Sequence, residues 1–193
     1  MKFIIGIGNE DKRYEETRHN IGFKVVNWIQ AHRKPVSHAV RWSEKEDLKA
    51  FIARLDEDHF LIKSKLFVNN TGGTVSMIRE RNPSAKPSDY LFVCDDVNLR
   101  FGKMRLRASG SAGGHHGLES VIQALGTEFP RLRIGVGNES MPKDDLTSFV
   151  LARFTAQEEK ELGGIFEKAA SVCESWMNEG FDSAMNCLSR LQS

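Results

Sequence analysis

KFIIGIGNEDKRYEETRHNIGFKVVNWIQAH, residues 2–32, decides the architecture. Lys2 to Gly8 is a short apolar run rich in β-branched isoleucine that stops at Gly6 and Gly8. It reads as a buried strand entering a tight turn. From Asn20 onward the apolar side chains Ile21, Val25, Val26, Trp28 and Ile29 recur at helical spacing, which predicts a helix to about His32. Residues 9–19, polar and charged, then lie on the loop between strand and helix.

The same alternation continues along the chain. Asp47 to Leu55 and His59 to Lys65 are strand-like runs joined by Asp56-Glu57-Asp58, the pattern of a hairpin. A helix is expected over about Asn70 to Glu80, and a buried strand over Tyr90 to Cys94 that ends on Asp95-Asp96. Polar strand character returns at Lys103 to Arg107. The glycine-rich loop 110–117, GSAGGHHG, opens a helix through Leu125, and Arg131 to Gly137 makes a further strand. Residues 156–178 line Leu162, Ile165, Phe166, Ala169, Val172, Cys173 and Trp176 along one helix face, with a shorter helix after Gly180. Strands alternating with helices imply an α/β domain with a mixed, partly parallel twisted sheet covered by helices on both faces. In such sheets, sites gather beyond the carboxyl ends of strands, where Asn9 to Asn20, Asp95-Asp96 and the loop around His115 are expected.

With 193 residues and 40% hydrophobic content the chain can close one substantial core, so a single domain over 1–193 is expected. The net charge of +1 excludes a global field for polyanions, but its distribution is uneven. Residues 100–135 carry six basic residues against two acids, whereas 155–182 carry seven acids against two lysines and read as a solvated helix. Cys94, Cys173 and Cys187 form no CxxC pair and fit reduced thiols. No stretch is long and apolar enough for a signal or membrane segment, so a cytoplasmic protein without membrane contact, and a monomer, is expected.

Three familiar chemistries fail on residues. Gly6-x-Gly8 after a strand invites a dinucleotide, but Asp11 stands at the third glycine and no acid lies between Thr17 and Ser43 to hold a ribose. No G-x-S-x-G elbow supplies a serine nucleophile. Asp95, Asp96, His115 and His116 lack the spacing of metal ligands, so neither metal nor cofactor is expected.

GIGNEDKRYEETRHNIGF at 6–23 resembles the signature near the start of bacterial-type peptidyl-tRNA hydrolases. KLFVNNTG at 65–72, CDDVNLRFGKMRLR at 94–107, GGHHGLESVIQALG at 113–126, RLRIGVG at 131–137 and FVLARF at 149–154 follow in the family's order, so the resemblance covers nearly the whole chain. It implies hydrolysis of the ester between a peptide and the tRNA 3′ ribose. His19 matches the family's general base, a role that suits imidazole near neutral pH, and Asp95 matches the carboxylate that orients it. Asn9 and Asn69 match side-chain amides that hold the peptide, although both residues also suit turns or helix caps. Tyr14 and Phe67 match positions near the tRNA terminus, where rings stack on bases, and equally suit packing. Arg105, Arg107 and Arg133 fall in or near positions that clamp a phosphate of the acceptor stem, against the ordinary reading of a solvated face.

This chain departs from the family pattern in several places. Glu10-Asp11 replaces a proline-glycine, and Val68 replaces a common methionine. His116 stands where the family has a substrate-binding asparagine; imidazole offers one donor and one acceptor and, unlike an amide, titrates. The rival reading is a non-catalytic RNA-binding relative, since the fold resembles that of an organelle splicing factor derived from the hydrolase.

Overall fold

A computed structural model describes residues 1–33, 40–142 and 144–192. The strands are β1 (Lys2–Gly6), β2 (Trp42–Lys45), β3 (Ala50–Arg54), β4 (His59–Ser64), β5 (Tyr90–Arg100), β6 (Met104–Arg107) and β7 (Arg131–Gly137). The helices are α1 (Ile21–His32), α2 (Thr71–Arg81), α3 (His116–Leu125), α4 (Leu146–Leu151), α5 (Ala156–Glu179) and α6 (Phe181–Gln192). The strands form one sheet of order β2-β3-β4-β1-β5-β7-β6. The central strands β4, β1, β5 and β7 are parallel, while β2–β3, β3–β4 and β6–β7 pair antiparallel. The expected mixed sheet with helices on both faces is what the chain forms.

The central strands are buried on both sides, and their alternate residues feed two cores. Ile4, Leu91, Val93 and Ile134 pack under α1 and α5, whereas Ile5, Phe92 and Cys94 pack under α2 and α3. At about 25 cal/mol per Å², removing this apolar area from water is the main force holding the layers together. A contact between glycines sets the height of α1 above the sheet. A Cβ on Gly22 would lie 2.3 Å from the Val93 carbonyl oxygen and 2.5 Å from that of Ile7, and one on Gly6 would lie 2.5 Å from the Gly22 oxygen. Only glycines let the first turn of α1 rest on the end of β1 and on β5 at Val93, and the residues just before that turn are Arg18, His19 and Asn20.

Several boundaries differ from expectation, each for a physical reason. Residues 46–48 form a tight 3-10 turn closed by Lys49 in the left-handed region (φ 48°), so the strand expected from Asp47 begins at Ala50. The polar edge strand β2 lies before that turn; its exposed Ser43, Glu44 and Lys45 show no apolar alternation. Strand β5 runs on through Asp95 and Asp96 to Arg100, its pairing with β7 shifting register between Asp96 and Arg100. The two aspartates therefore lie at an irregularity inside a strand. Glu158 departs from the solvated acidic face assigned to 155–182. It is buried, and it closes a reciprocal capping box with Thr155 at the start of α5. Among the described residues no helix is long and apolar enough to cross a membrane.

Candidate active site

A cavity of about 520 Å³ opens at the carboxyl ends of β1 and β4 and at the irregularity of β5. Its wall brings together His19, Asp95, Asn9, Asn69, Tyr14, Phe67, His116 and Arg133. Arg105 and Arg107 lie in an adjoining recess that shares Asp96, Asn98, Gly113 and Arg133 with it. A second cavity of about 500 Å³ lies against the face of β2, β3 and β4 near the start of β1; it is floored by Phe3, Ile52, Phe60 and Ile62, and neither histidine nor carboxylate lines it. Acid–base chemistry therefore points to the first.

His19 is buried on the 3-10 turn that leads into α1. Its Nδ1 lies 2.8 Å from Asp95 Oδ1. Burial works against the imidazolium, but the charge of Asp95 and the hydrogen bond to it outweigh that, so the pKa of His19 is raised above 6.5. Burial would raise the Asp95 carboxyl; its attraction to His19 and His115 and the hydrogen bonds from both hold it well below the usual carboxylate range. With Nδ1 committed to Asp95, Nε2 is the nitrogen free for chemistry.

Sequence reasoning weighed His115 as a metal ligand and set that aside, and the structure gives it a larger part. Its Nε2 lies 3.1 Å from the same Oδ1 of Asp95. Its Nδ1 accepts from the backbone N–H groups of Gly117 (3.1 Å) and Leu118 (3.3 Å), making it the N-cap of α3. A nitrogen that accepts carries no proton, so the network assigns the proton to Nε2, which donates to Asp95. His19, Asp95 and His115 bring potential ligand atoms within 4.8 Å of one another. Metal ligation by His115 would need a bare Nε2, hence a proton on Nδ1 and loss of the helix cap, so the residues present do not fit a metal. Of the other acids and histidines weighed for a metal, Asp96 turns to Arg133 (3.4 Å) and to the Asn98 N–H (2.9 Å), and His116 to Glu119 (2.9 Å).

Asn9 is buried and braced. Its N–H donates to Asn20 Oδ1 (2.8 Å), its carbonyl accepts from Asn20 Nδ2 (2.9 Å), and its own Oδ1 accepts from the Val68 N–H (2.9 Å). The side-chain NH₂ is what Asn9 has left to offer. Asn69 lies exposed on the 3-10 turn before α2; the N-cap position belongs to Asn70, whose side chain makes no capping bond. Phe67 is 58% exposed at the rim and Tyr14 is half-buried, which leaves Phe67 with little packing role. The His116 side chain is 74% exposed. Arg105 and Arg107 are exposed and stand opposite Arg133 and Arg131 in the β6–β7 register, so all four project from one face. Arg133 is buried, and its Nη2 donates to the carbonyls of Ser111 and Ala112 (2.9 Å each), bracing the glycine-rich loop.

Fold and cleft together define an α/β enzyme with a buried histidine–carboxylate pair at the strand ends. The peptidyl-tRNA hydrolase family model matches residues 3–193. Peptidyl-tRNA hydrolase of Chlorobium chlorochromatii is 39% identical over 189 residues, covering 96% of each chain. That of Bacillus cytotoxicus is 36% identical, covering 96% of this chain and 98% of its own. The crystal structure of peptidyl-tRNA hydrolase from Acinetobacter baumannii superposes with a TM-score of 0.86 at 25% identity, covering 97% of this chain and 94% of that one. The chain belongs to the peptidyl-tRNA hydrolase family.

Proposed function

We propose that the chain hydrolyses the ester joining the peptide to the 3′ ribose of peptidyl-tRNA, with His19 as general base. Water beside Nε2 attacks the ester carbonyl carbon as its proton passes to that nitrogen. The Nδ1–H, held by Asp95, stabilises the imidazolium so formed. The tetrahedral intermediate then expels the ribose oxygen, which takes the proton back from Nε2, leaving a free peptide acid, a ribose hydroxyl and neutral His19. Asn9, through its free NH₂, Asn69 and His116 hold the peptide end, and Tyr14 and Phe67 face the tRNA terminus. Arg105 and Arg107, with Arg133 behind them, take a phosphate of the acceptor stem. Such contacts read backbone rather than bases, so one enzyme serves many tRNAs.

The observation that carries this reading is the 2.8 Å His19–Asp95 contact in a cleft walled by side-chain amides. The test is release of deacylated tRNA from an N-blocked aminoacyl-tRNA. Turnover is expected with the wild type, and a loss of several orders of magnitude with His19→Ala; equal rates would remove His19 from the mechanism.

A further inference from the structure

Arg18 precedes His19 and points the other way, into the protein. Its backbone N–H donates to the Ala152 carbonyl (3.1 Å), and Thr17 forms a bridge with Arg153. The guanidinium donates from Nη1 to the Arg153 carbonyl (2.6 Å) and from Nη2 to Glu158 Oε2 (2.7 Å). It lies 4.5 Å from the ring of Phe149 and 5.4 Å from that of Phe154. Its buried Nε has no acceptor among the described residues, so the terminal nitrogens and the rings set its orientation. Glu158 is equally committed: Oε1 accepts from Asn138 Nδ2 (2.7 Å), and Oε2 from the Thr155 N–H (2.8 Å) as well as from Arg18.

A buried ion pair seldom improves on apolar side chains of similar volume as a source of stability, because desolvation offsets the attraction. What such a pair supplies is a fixed geometry, and here the geometry touches the site. Phe149 belongs to α4, whose Leu146, Thr147, Val150 and Leu151 line the cleft. Asn138 directly follows β7, and Thr155 caps α5. One guanidinium thus fastens α4, the 152–155 link, the start of α5 and the end of β7 to the residue beside the base.

We propose that Arg18 and Glu158 are positioning residues, a clamp that registers His19 against Asp95 and against the α4 wall of the cleft. This rests on His19 being the general base. Glu158 also neutralises a cation one residue from His19; without it, the uncompensated guanidinium disfavours the imidazolium.

The test uses R18M/E158L, in which apolar side chains replace both charges, together with E158Q and H19A, in the release assay, with Tm and an NMR titration of the His19 ring. The double variant is expected to lower Tm, because it strips their partners from Asn138, the Thr155 N–H and the Arg153 carbonyl, while in the folded protein kcat falls at least about tenfold and KM stays within about twofold, the pattern of a misplaced catalytic group. E158Q is expected to lower kcat likewise and to titrate His19 at lower pH. If the double variant does not fold, E158Q, which preserves size and hydrogen-bonding reach, carries the same readouts. Folded clamp variants with wild-type kcat and an unshifted His19 titration, alongside an inactive H19A, would overturn the clamp. An active H19A would instead overturn the general-base reading.

Discussion

His115 Nε2 and His19 Nδ1 donate to one and the same oxygen of Asp95, at 3.1 Å and 2.8 Å. The carboxylate is thereby held from two sides, and the second imidazole is itself fixed by the backbone at the start of α3. His115→Asn separates its two duties. Asparagine is among the best N-cap residues, so the acceptor for the Gly117 and Leu118 N–H groups is kept, but the shorter side chain no longer reaches Asp95. Stability is expected to change by less than about 1 kcal/mol while kcat falls about tenfold; His115→Ala, which also loses the cap, should cost a further ~1 kcal/mol. Denaturant melts beside the release assay check this. A wild-type kcat in His115→Asn would mean that His19 alone holds Asp95 in place.

The pair also sets opposing pH demands. A raised His19 stabilises the fold fully below its unfolded value of 6.5, and that contribution fades as pH rises through the folded pKa. A depressed Asp95 contributes above its unfolded 3.8, and that contribution is lost as pH falls through its folded value. Their joint contribution is therefore greatest between 3.8 and 6.5. As the proposed general base, however, His19 must be neutral, so activity is expected to rise only above its pKa. The acidic limb of kcat/KM is expected above pH 6.5, and Asp95→Asn should move it downward while lowering the plateau. A limb unmoved in Asp95→Asn would detach the profile from His19.

Much of this arrangement was legible in residue order, and what escaped did so for physical reasons. The apolar runs of β1 and β7 and the long face of α5 announce themselves because burial on both sides of a strand, or along one side of a helix, imposes a pattern. Edge strand β2 is exposed and polar, so nothing imposes one. Helix α4, with six residues, is too short for periodicity to register. Asp95 and His19 were found through motifs, but that His115 shares the acceptor depends on the β5 irregularity and on the cap of α3, neither of which is written in spacing. Glu158 was hidden inside an acidic segment. The Thr155-x-x-Glu158 box marks it as a capping residue, and only the fold shows Arg18 waiting beside it.

The close approach of Gly22 to β1 and β5 predicts an intolerant position. In Gly22→Ala the new methyl would meet the carbonyl oxygens of Val93 and Ile7 at 2.3 and 2.5 Å, backbone atoms that cannot swing away. The first turn of α1 must lift, taking His19 with it. A loss of roughly 3 kcal/mol or more is expected, together with a fall in kcat in whatever folds. Alanine accepted within 0.5 kcal/mol would show that α1 is not seated as described.

The arginines should separate by burial. Arg105 and Arg107 are exposed, so replacing either with glutamine is expected to leave Tm unchanged, weaken tRNA binding and lower the slope of log KM against log salt by about one. Arg133 braces the glycine-rich loop through Ser111 and Ala112, so Arg133→Gln should reduce both stability and binding. Salt series on each variant distinguish the two patterns. A slope unchanged in all three would place the phosphate elsewhere.

His116 occupies the first turn of α3, on the cleft wall, exposed and bonded through Nδ1 to Glu119, which leaves Nε2 toward solvent. An amide there would present the same donors and acceptors at every pH. An imidazole donates from both nitrogens when protonated, and when neutral splits one donor and one acceptor between them. Binding of the peptide end should therefore depend on the protonation of His116, adding to the kcat/KM profile an ionisation that is absent from kcat at saturation. His116→Asn is expected to abolish that step and leave the His19 limb where it was. Superimposable kcat/KM profiles for wild type and His116→Asn would mean that the side chain never meets the substrate.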